Sequence, residues 1–128
     1  MPSNVETIQA FVDAMNRHDT AALEACYAPD ATILYPGRPA QTPAQQVAGE
    51  RTMLESVPDY RIEPLSVLEA EGDHVLLELR MCGTQREDLG GRAFEITGAY
   101  VFRLRDGLIV EERAYPDLAG LRRQLSGR

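Results

Sequence analysis

Apolar residues recur at helical spacing in the first part of the chain and at strand spacing in the second. Val5, Ile8, Phe11, Val12 and Met15 fall three and four residues apart, the stripe of a helix that buries one side. Ser3 or Asn4 can cap it, with Glu6 or Thr7 in the first turn. The polar run Asn16-Arg17-His18-Asp19-Thr20 ends this helix near Asn16. Asp19 then caps a second helix that holds Ala22, Leu23, Ala25, Cys26 and Tyr27 and stops at Pro29. A short strand is predicted over residues 31–35, followed by a turn at Pro36-Gly37-Arg38-Pro39. Thr42 or Gly49 opens a third helix with Val47, Met53, Leu54 and Val57 as its apolar positions, and Pro58-Asp59 stops it.

From residue 60 the period drops to two. Residues 60–70 read as a strand, Glu71-Gly72-Asp73 as a turn, and 74–84 as a strand with Val75, Leu77, Leu79 and Met81 on one face. A polar loop over 85–91 leads to a third long strand. Its one face is Phe94, Ile96, Gly98, Tyr100, Phe102 and Leu104. Arg105-Asp106-Gly107 joins it to a fourth, and Asp-Gly between alternating runs is a strong hairpin signal. In that fourth strand Leu108, Val110, Glu112 and Ala114 share a face, so Glu112 is a carboxylate among apolar neighbours. Leu118, Leu121 and Leu125 mark a closing helix over 117–126. Helices early, hairpin-linked strands late and one closing helix define an α+β domain. Its sheet is mainly antiparallel, with helices over one face. The other face carries Glu78, Arg80, Glu95, Thr97, Arg103, Glu111 and Arg113, fit for cross-strand ion pairs, for water or for a second subunit.

Composition narrows the partners. A chain of 128 residues is expected to form a single domain, residues 1–128, with a real core. Its 13 Lys and Arg against 20 Asp and Glu give a formal charge of -7, which disfavours nucleic acid and anionic membrane surfaces. Arg122, Arg123 and Arg128 gather near the end, where a helix C-terminus favours cations. Cys26 and Cys82 do not make a disulfide framework. The N-terminus has no signal-peptide pattern and no apolar run approaches ~18 residues, so a cytoplasmic location is expected. His18 and His74 sit far apart in turns, and no metal constellation, phosphate loop or nucleophile elbow is present.

Three stretches, FVDAMNRHDTAALEACYAPDATI, VPDYRIEPLSVLEAEGDHV and GLIVEERAYPDLAGLRRQL, resemble the SnoaL-like polyketide cyclases. These belong to the nuclear-transport-factor-2-like superfamily of cone-shaped α+β folds. The resemblance covers nearly the whole chain. It implies a curved, mainly antiparallel sheet that encloses an apolar pocket together with the N-terminal helices. By that resemblance the pocket face holds Leu77, Leu79, Met81, Phe94, Ile96, Gly98, Tyr100, Phe102, Glu112 and Ala114, and the helices add Phe11, Met15, Tyr27, Met53 and Leu54. The related enzymes can be matched position by position. The ketosteroid isomerase set would fall on Tyr35, Phe11 and Tyr100, and two aspartates of the limonene-epoxide hydrolases on Ala114 and Met81; both sets are changed here. The cyclase pattern Glu-His-Trp-x-x-x-Asp corresponds to Glu111-Glu112-Arg113-Ala114-Tyr115-Pro116-Asp117, which keeps the Asp and replaces the His and Trp. The Gly-Thr-His frequent after the second long strand is Gly83-Thr84-Gln85.

The candidate chemistry is therefore four residues: Glu112, Asp117, Tyr100 and Tyr35. A carboxylate on an apolar face is poorly solvated, which raises its pKa toward neutrality and suits proton transfer. Glu112 could instead sit in an ion pair or be turned to solvent by a β-bulge. Asp117 follows Pro116 and precedes a helix, so it reads equally as an N-cap. Tyr35 and Tyr100 can donate to a carbonyl or enolate, or simply pack. The resulting expectation is a cofactor-independent acid/base enzyme acting on a small hydrophobic carbonyl compound, by aldol cyclisation or isomerisation through an enolate. The alternative is a non-catalytic ligand-binding or oligomerisation domain. A homodimer through the outer sheet face is expected from the resemblance.

Overall fold

The computed structural model describes residues 1–126. Helices α1 (Asn4–Asn16) and α2 (Thr20–Glu24) precede β1 (Tyr27–Leu34) and α3 (Pro43–Ser56). Strands β2 (Arg61–Ala70), β3 (His74–Thr84), β4 (Ala93–Arg105) and β5 (Leu108–Pro116) follow, and α4 (Leu118–Ser126) closes the described chain. The five strands form one curved sheet in the order β1-β5-β4-β3-β2, with β1 parallel to β5 and every other pair antiparallel. The α+β cone expected from the sequence is the observed fold.

The helices begin where their caps dictate. Ser3 and Glu6 form a capping box at α1, and Thr42 and Gln45 form another at α3, whose first residue is Pro43. The α1 stripe packs Ile8, Phe11 and Met15 onto the sheet, where the Phe11 ring meets Phe102 edge-on at 5.2 Å. Two amide side chains satisfy open strand edges. Asn16 both donates to Ile62 O at 2.9 Å and accepts from Ile62 N at 2.8 Å, on the outer edge of β2. Gln124 does the same for Glu95 at 3.0 and 2.7 Å, where β4 runs past the end of its pairing with β5. That second pair ties α4 across the mouth of the cone.

Several local expectations are corrected. Helix α2 ends at Glu24, so Tyr27 opens β1 rather than lying on a helix. Pro29 does not stop a helix; it lies within β1, which is tolerated because β1 is an edge strand whose register is irregular between Tyr27 and Thr32. In β5, Leu104 pairs with Ile109 but Arg103 pairs with Glu111, so Val110 is the extra residue of a bulge. The bulge brings Ile109, not Val110, into the core with Glu112 and Ala114. It turns Glu112 inward, the reverse of what a bulge was expected to do.

On the outer face Arg80 pairs across strands with Glu63 at 3.0 Å and Glu95 at 3.7 Å. These partners are solvent-exposed, and such pairs stabilise by only about 0–1 kcal/mol. The same face exposes Leu68, Leu76 and Tyr115, and Leu68, Leu76 and Val101 form one row across β2, β3 and β4.

Candidate active site

The inner face of the sheet is a stack of cross-strand rows, and the site follows from which row each side chain occupies. Next to the Leu104–Ile109 pair at the closed end, Ile33, Glu112, Phe102 and Val75 form one row. Ala114, Tyr100 and Leu77 form the next, and Tyr35 lies one residue beyond the Leu34–Arg113 pair at the same level. Pro116, Gly98 and Leu79 come third, then Ile96 and Met81. A cavity of about 310 Å³ occupies the outer rows. Tyr35, Tyr100 and Met81 form its floor, and Tyr60, Phe94 and Ile96 its sheet-side wall. Gln46, Gly49, Glu50 and Met53 of α3 face them, and Arg38, Leu118 and Leu121 frame the mouth.

Glu112 is fully buried, one row beneath that floor, and does not line the cavity. Its Oε1 accepts a 2.5 Å hydrogen bond from the Tyr27 hydroxyl, and its Oε2 meets no partner. Burial raises its pKa to about 8; the Tyr27 bond pulls it down and the Glu50 charge pushes it up. At neutral pH Glu112 therefore holds its proton more often than not. Tyr27 spends its own proton on Glu112 and faces the core, away from the cavity.

The two floor phenols keep theirs available. Gln46 Nε2 donates to Tyr35 Oη at 3.1 Å, which leaves the Tyr35 O–H free to donate elsewhere. Tyr100 donates to Met81 Sδ at 3.8 Å, a weak acceptor, and its hydroxyl also acts on the Tyr35 oxygen, which slightly lowers the Tyr35 pKa. Burial, reinforced by Glu112, pushes Tyr35 up to about 12, and burial raises Tyr100 well above the usual phenol range. Both stay protonated as donors. Ala114, between them in the register, carries too little side chain to fill the space they border. The Arg38 guanidinium lies over the Tyr35 ring at 5.7 Å.

Of the sequence-predicted site residues, Tyr35, Tyr100, Met53, Met81, Phe94 and Ile96 line the cavity. Phe11, Met15, Tyr27, Leu77, Leu79, Phe102 and Ala114 belong to the packed core around and beneath it. Leu54 borders a separate small pocket against α1 and α2. Asp117 is exposed and outside the cavity. Its Oδ1 accepts from Gly120 N at 2.9 Å, and a Cβ at Gly120 would lie 2.3 Å from its Oδ2, so this cap depends on a glycine there.

Sequence reasoning missed Glu50 and Gln46. Burial raises the Glu50 pKa to about 7, and no hydrogen bond or neighbouring charge offsets that burial. The signal was present: Gln46 and Glu50 fall on the same helical stripe as Val47, Met53, Leu54 and Val57.

The cone, with α4 across its mouth, thus encloses a cavity with phenols on its floor, one carboxyl of raised pKa in its wall and another beneath it. The chain belongs to the SnoaL-like domain family, whose profile matches residues 8–112. Among solved structures it is similar to IdmH of Streptomyces antibioticus, a candidate polyketide cyclase, with 24% identity over 98% of this chain and 99% of that one at a TM-score of 0.84. It is similar to TsrD of Streptomyces laurentii, with 25% identity over 98% and 96% of the two chains at a TM-score of 0.82. A Catenulispora acidiphila protein of ketosteroid isomerase-like fold, in complex with trimethylamine, shares 21% identity over 94% and 92% of the two chains at a TM-score of 0.81. No curated protein matches the sequence significantly.

Proposed function

We propose that the protein is a cofactor-independent acid/base enzyme acting on a small hydrophobic carbonyl compound. It removes a proton next to the carbonyl, holds the resulting enolate, and lets it close by intramolecular aldol addition or reprotonate as an isomer. The observation that carries this reading is the pair of phenols on the cavity floor, Tyr35 and Tyr100, whose hydroxyl protons are not committed to strong acceptors. Donors fixed where negative charge develops, in a site poor in water, are the main source of enolate stabilisation. Glu112, held protonated behind them, places a neutral acid rather than a charge beneath the developing oxyanion. Asp117 positions α4 over the mouth through its cap.

The test uses 2-tetralone, a compact ketone with exchangeable protons beside its carbonyl, and 2-naphthol, a planar mimic of its enolate. The protein should accelerate deuterium incorporation into 2-tetralone and bind 2-naphthol in the cavity. Tyr100→Phe should lose both by about tenfold or more. Unchanged exchange and binding in Tyr100→Phe would sink the reading.

The position of Glu112 below the floor favours a second reading, a non-catalytic binder of small hydrophobic ligands. Tight 2-naphthol binding with no catalysed exchange would establish it. We further infer a homodimer joined through the outer sheet face, where Leu68, Leu76 and Tyr115 are exposed beside the ion pairs. A monomeric mass throughout micromolar dilution would exclude that dimer. The proposed setting is the cytoplasm, in keeping with two cysteines, Cys26 and Cys82, that are free and buried. No helix among the described residues is long and apolar enough to cross a membrane.

A further inference from the structure

Enolisation needs a base that touches the substrate, and neither Glu112 nor Asp117 reaches the cavity. Glu50 does. Among the described residues that line the cavity it is the one carboxylic acid, facing the floor phenols from the opposite wall. Its place is fixed by α3, which starts at a capping box and a proline and presents Gln46 and Glu50 one turn apart. Gln46 holds Tyr35 while Glu50 has no hydrogen-bonding partner among the described residues, so one helix face supplies both the positioned donor and an uncommitted carboxylate.

A second observation concerns the other side of Glu50. The same side chain also borders a pocket of about 10 Å³, roughly the space of one water, between α3 and the turn joining α1 to α2. His18, Asp19 and Thr20 line that pocket. Glu50 thus stands between the cavity and a water-sized space near the surface, where a base must sit if it is to exchange its proton without opening the cone.

Resting on the enolate reading above, we propose that Glu50 is the catalytic base of this site, taking the proton from the carbon next to the substrate carbonyl. As the C–H bond breaks, its electron pair moves into the enolate, the carbonyl oxygen takes the negative charge between Tyr35 and Tyr100, and Glu50 becomes a neutral acid. In an isomerisation Glu50 returns the proton to a different carbon. In an aldol closure the enolate carbon attacks a second carbonyl and the proton goes to the new alkoxide. Either way the site ends as it began, with no oxidant, reductant or cofactor consumed.

The other ionisable groups around Glu50 are already engaged. Asp19 caps Ala22 N at 3.0 Å, His18 Nε2 bonds Tyr60 O at 2.7 Å, and Arg51 donates to Thr20 Oγ1 at 3.2 Å. Arg38 lies over Tyr35, and Tyr35, Tyr60, Tyr100 and Glu112 face Glu50 from the sheet side with their protons in place at neutral pH. Burial without compensation tunes Glu50 to about 7, where a base is half-charged and strong enough to act.

The test separates this proposal from the reading it rests on. Glu50→Gln keeps the shape of the side chain and removes the base. Its rate of deuterium incorporation into 2-tetralone should fall about 100-fold or more, while 2-naphthol still binds. The rise of the wild-type rate through pH 7 should vanish, and Glu50→Asp should restore part of the rate. Wild-type exchange in Glu50→Gln, with Tyr100→Phe still impaired, would overturn the base and leave the enolate reading standing. Carboxyl-carbon NMR gives a readout independent of turnover. Glu50 should titrate near 7 and move higher when 2-naphthol displaces water from the cavity; an ordinary titration below 5, unmoved by 2-naphthol, would overturn the proposal whatever the activity.

Discussion

Tyr27 and Glu112, 85 residues apart, meet in a 2.5 Å hydrogen bond at the closed end of the cone. The bond joins the first strand to the last and, among the described residues, is the sole hydrogen bond to the Glu112 carboxyl. In Tyr27→Phe both oxygens lack partners. A buried polar group left unsatisfied costs about 1–3 kcal/mol. The variant should be destabilised by that amount in urea unfolding, and Glu112 should titrate above its value of about 8, because the Tyr27 bond is what lowers it. An unchanged Glu112 titration would show that the phenol does not hold the carboxyl.

Glu112 also makes stability depend on pH. Its folded pKa of about 8 lies above the ordinary 4.5, so the folded state binds the proton more tightly than the unfolded chain. That contribution is complete below about pH 4.5, declines as pH rises through the window, and is gone above about 8. A tenfold difference in proton affinity between the folded and unfolded chain is equivalent to about 1.4 kcal/mol. Glu50 adds a smaller decline of the same sign between 4.5 and about 7. Glu112→Gln stays neutral throughout. It should flatten the fall in urea-unfolding free energy between pH 5 and 9 and be more stable than the parent at pH 9. Parallel curves for the two proteins would rule out a protonated Glu112 in the native state.

The two carboxyls predict a narrow optimum for turnover. Glu50 must be charged to accept a proton, so the rate should climb through about pH 7. Glu112 must stay neutral, since its charge below the floor opposes the enolate, so the rate should fall above about pH 8. The Glu50 charge raises Glu112, so the falling limb depends on the state of Glu50. Glu112→Gln should therefore remove the falling limb and leave the rising one in place. The measurement is kcat/KM for 2-tetralone exchange across pH 5.5–9.5, a range chosen to extend about one and a half pH units beyond both groups.

The fold was legible because its strands alternate and its turns carry glycine: β3 and the β4–β5 hairpin lie where the pattern put them. Local rules failed where tertiary pairing overrode them. Tyr27 sits in a stretch with helical spacing, but Cys26 O accepts from Ile109 N at 2.9 Å and draws the chain into the sheet. The Val110 bulge left no local mark, since leucine, isoleucine and valine fit either face. Glu112 stood out as a charge on an apolar strand face, yet alternation gives only the face and not the depth. Its row beneath the floor emerged from the register with β1 and β4. Glu50 passed unseen because an acid within a helix is ordinary, and only its phase relative to Val47 and Leu54 distinguishes it.

Gly98 sets the width of the cavity behind Met81. It lies between Leu79 and Pro116 in the register, on the inner face. A Cβ there would stand 2.8 Å from Met81 Cε and 3.1 Å from the Pro116 Cα. The methionine tip must shift, and Met81 both lines the cavity and accepts from the Tyr100 hydroxyl, so the shift is felt at the site. The proline backbone yields less readily because it leads directly into the α4 cap at Asp117. Gly98→Ala should cost about 1–3 kcal/mol, the usual range for an overpacked core, and weaken 2-naphthol binding several-fold. In a double-mutant cycle with Met81→Ala, the crowding against the methionine should disappear and that against Pro116 should remain. The second substitution should then recover part of the stability lost to the first, and strict additivity would place Met81 out of contact with Gly98.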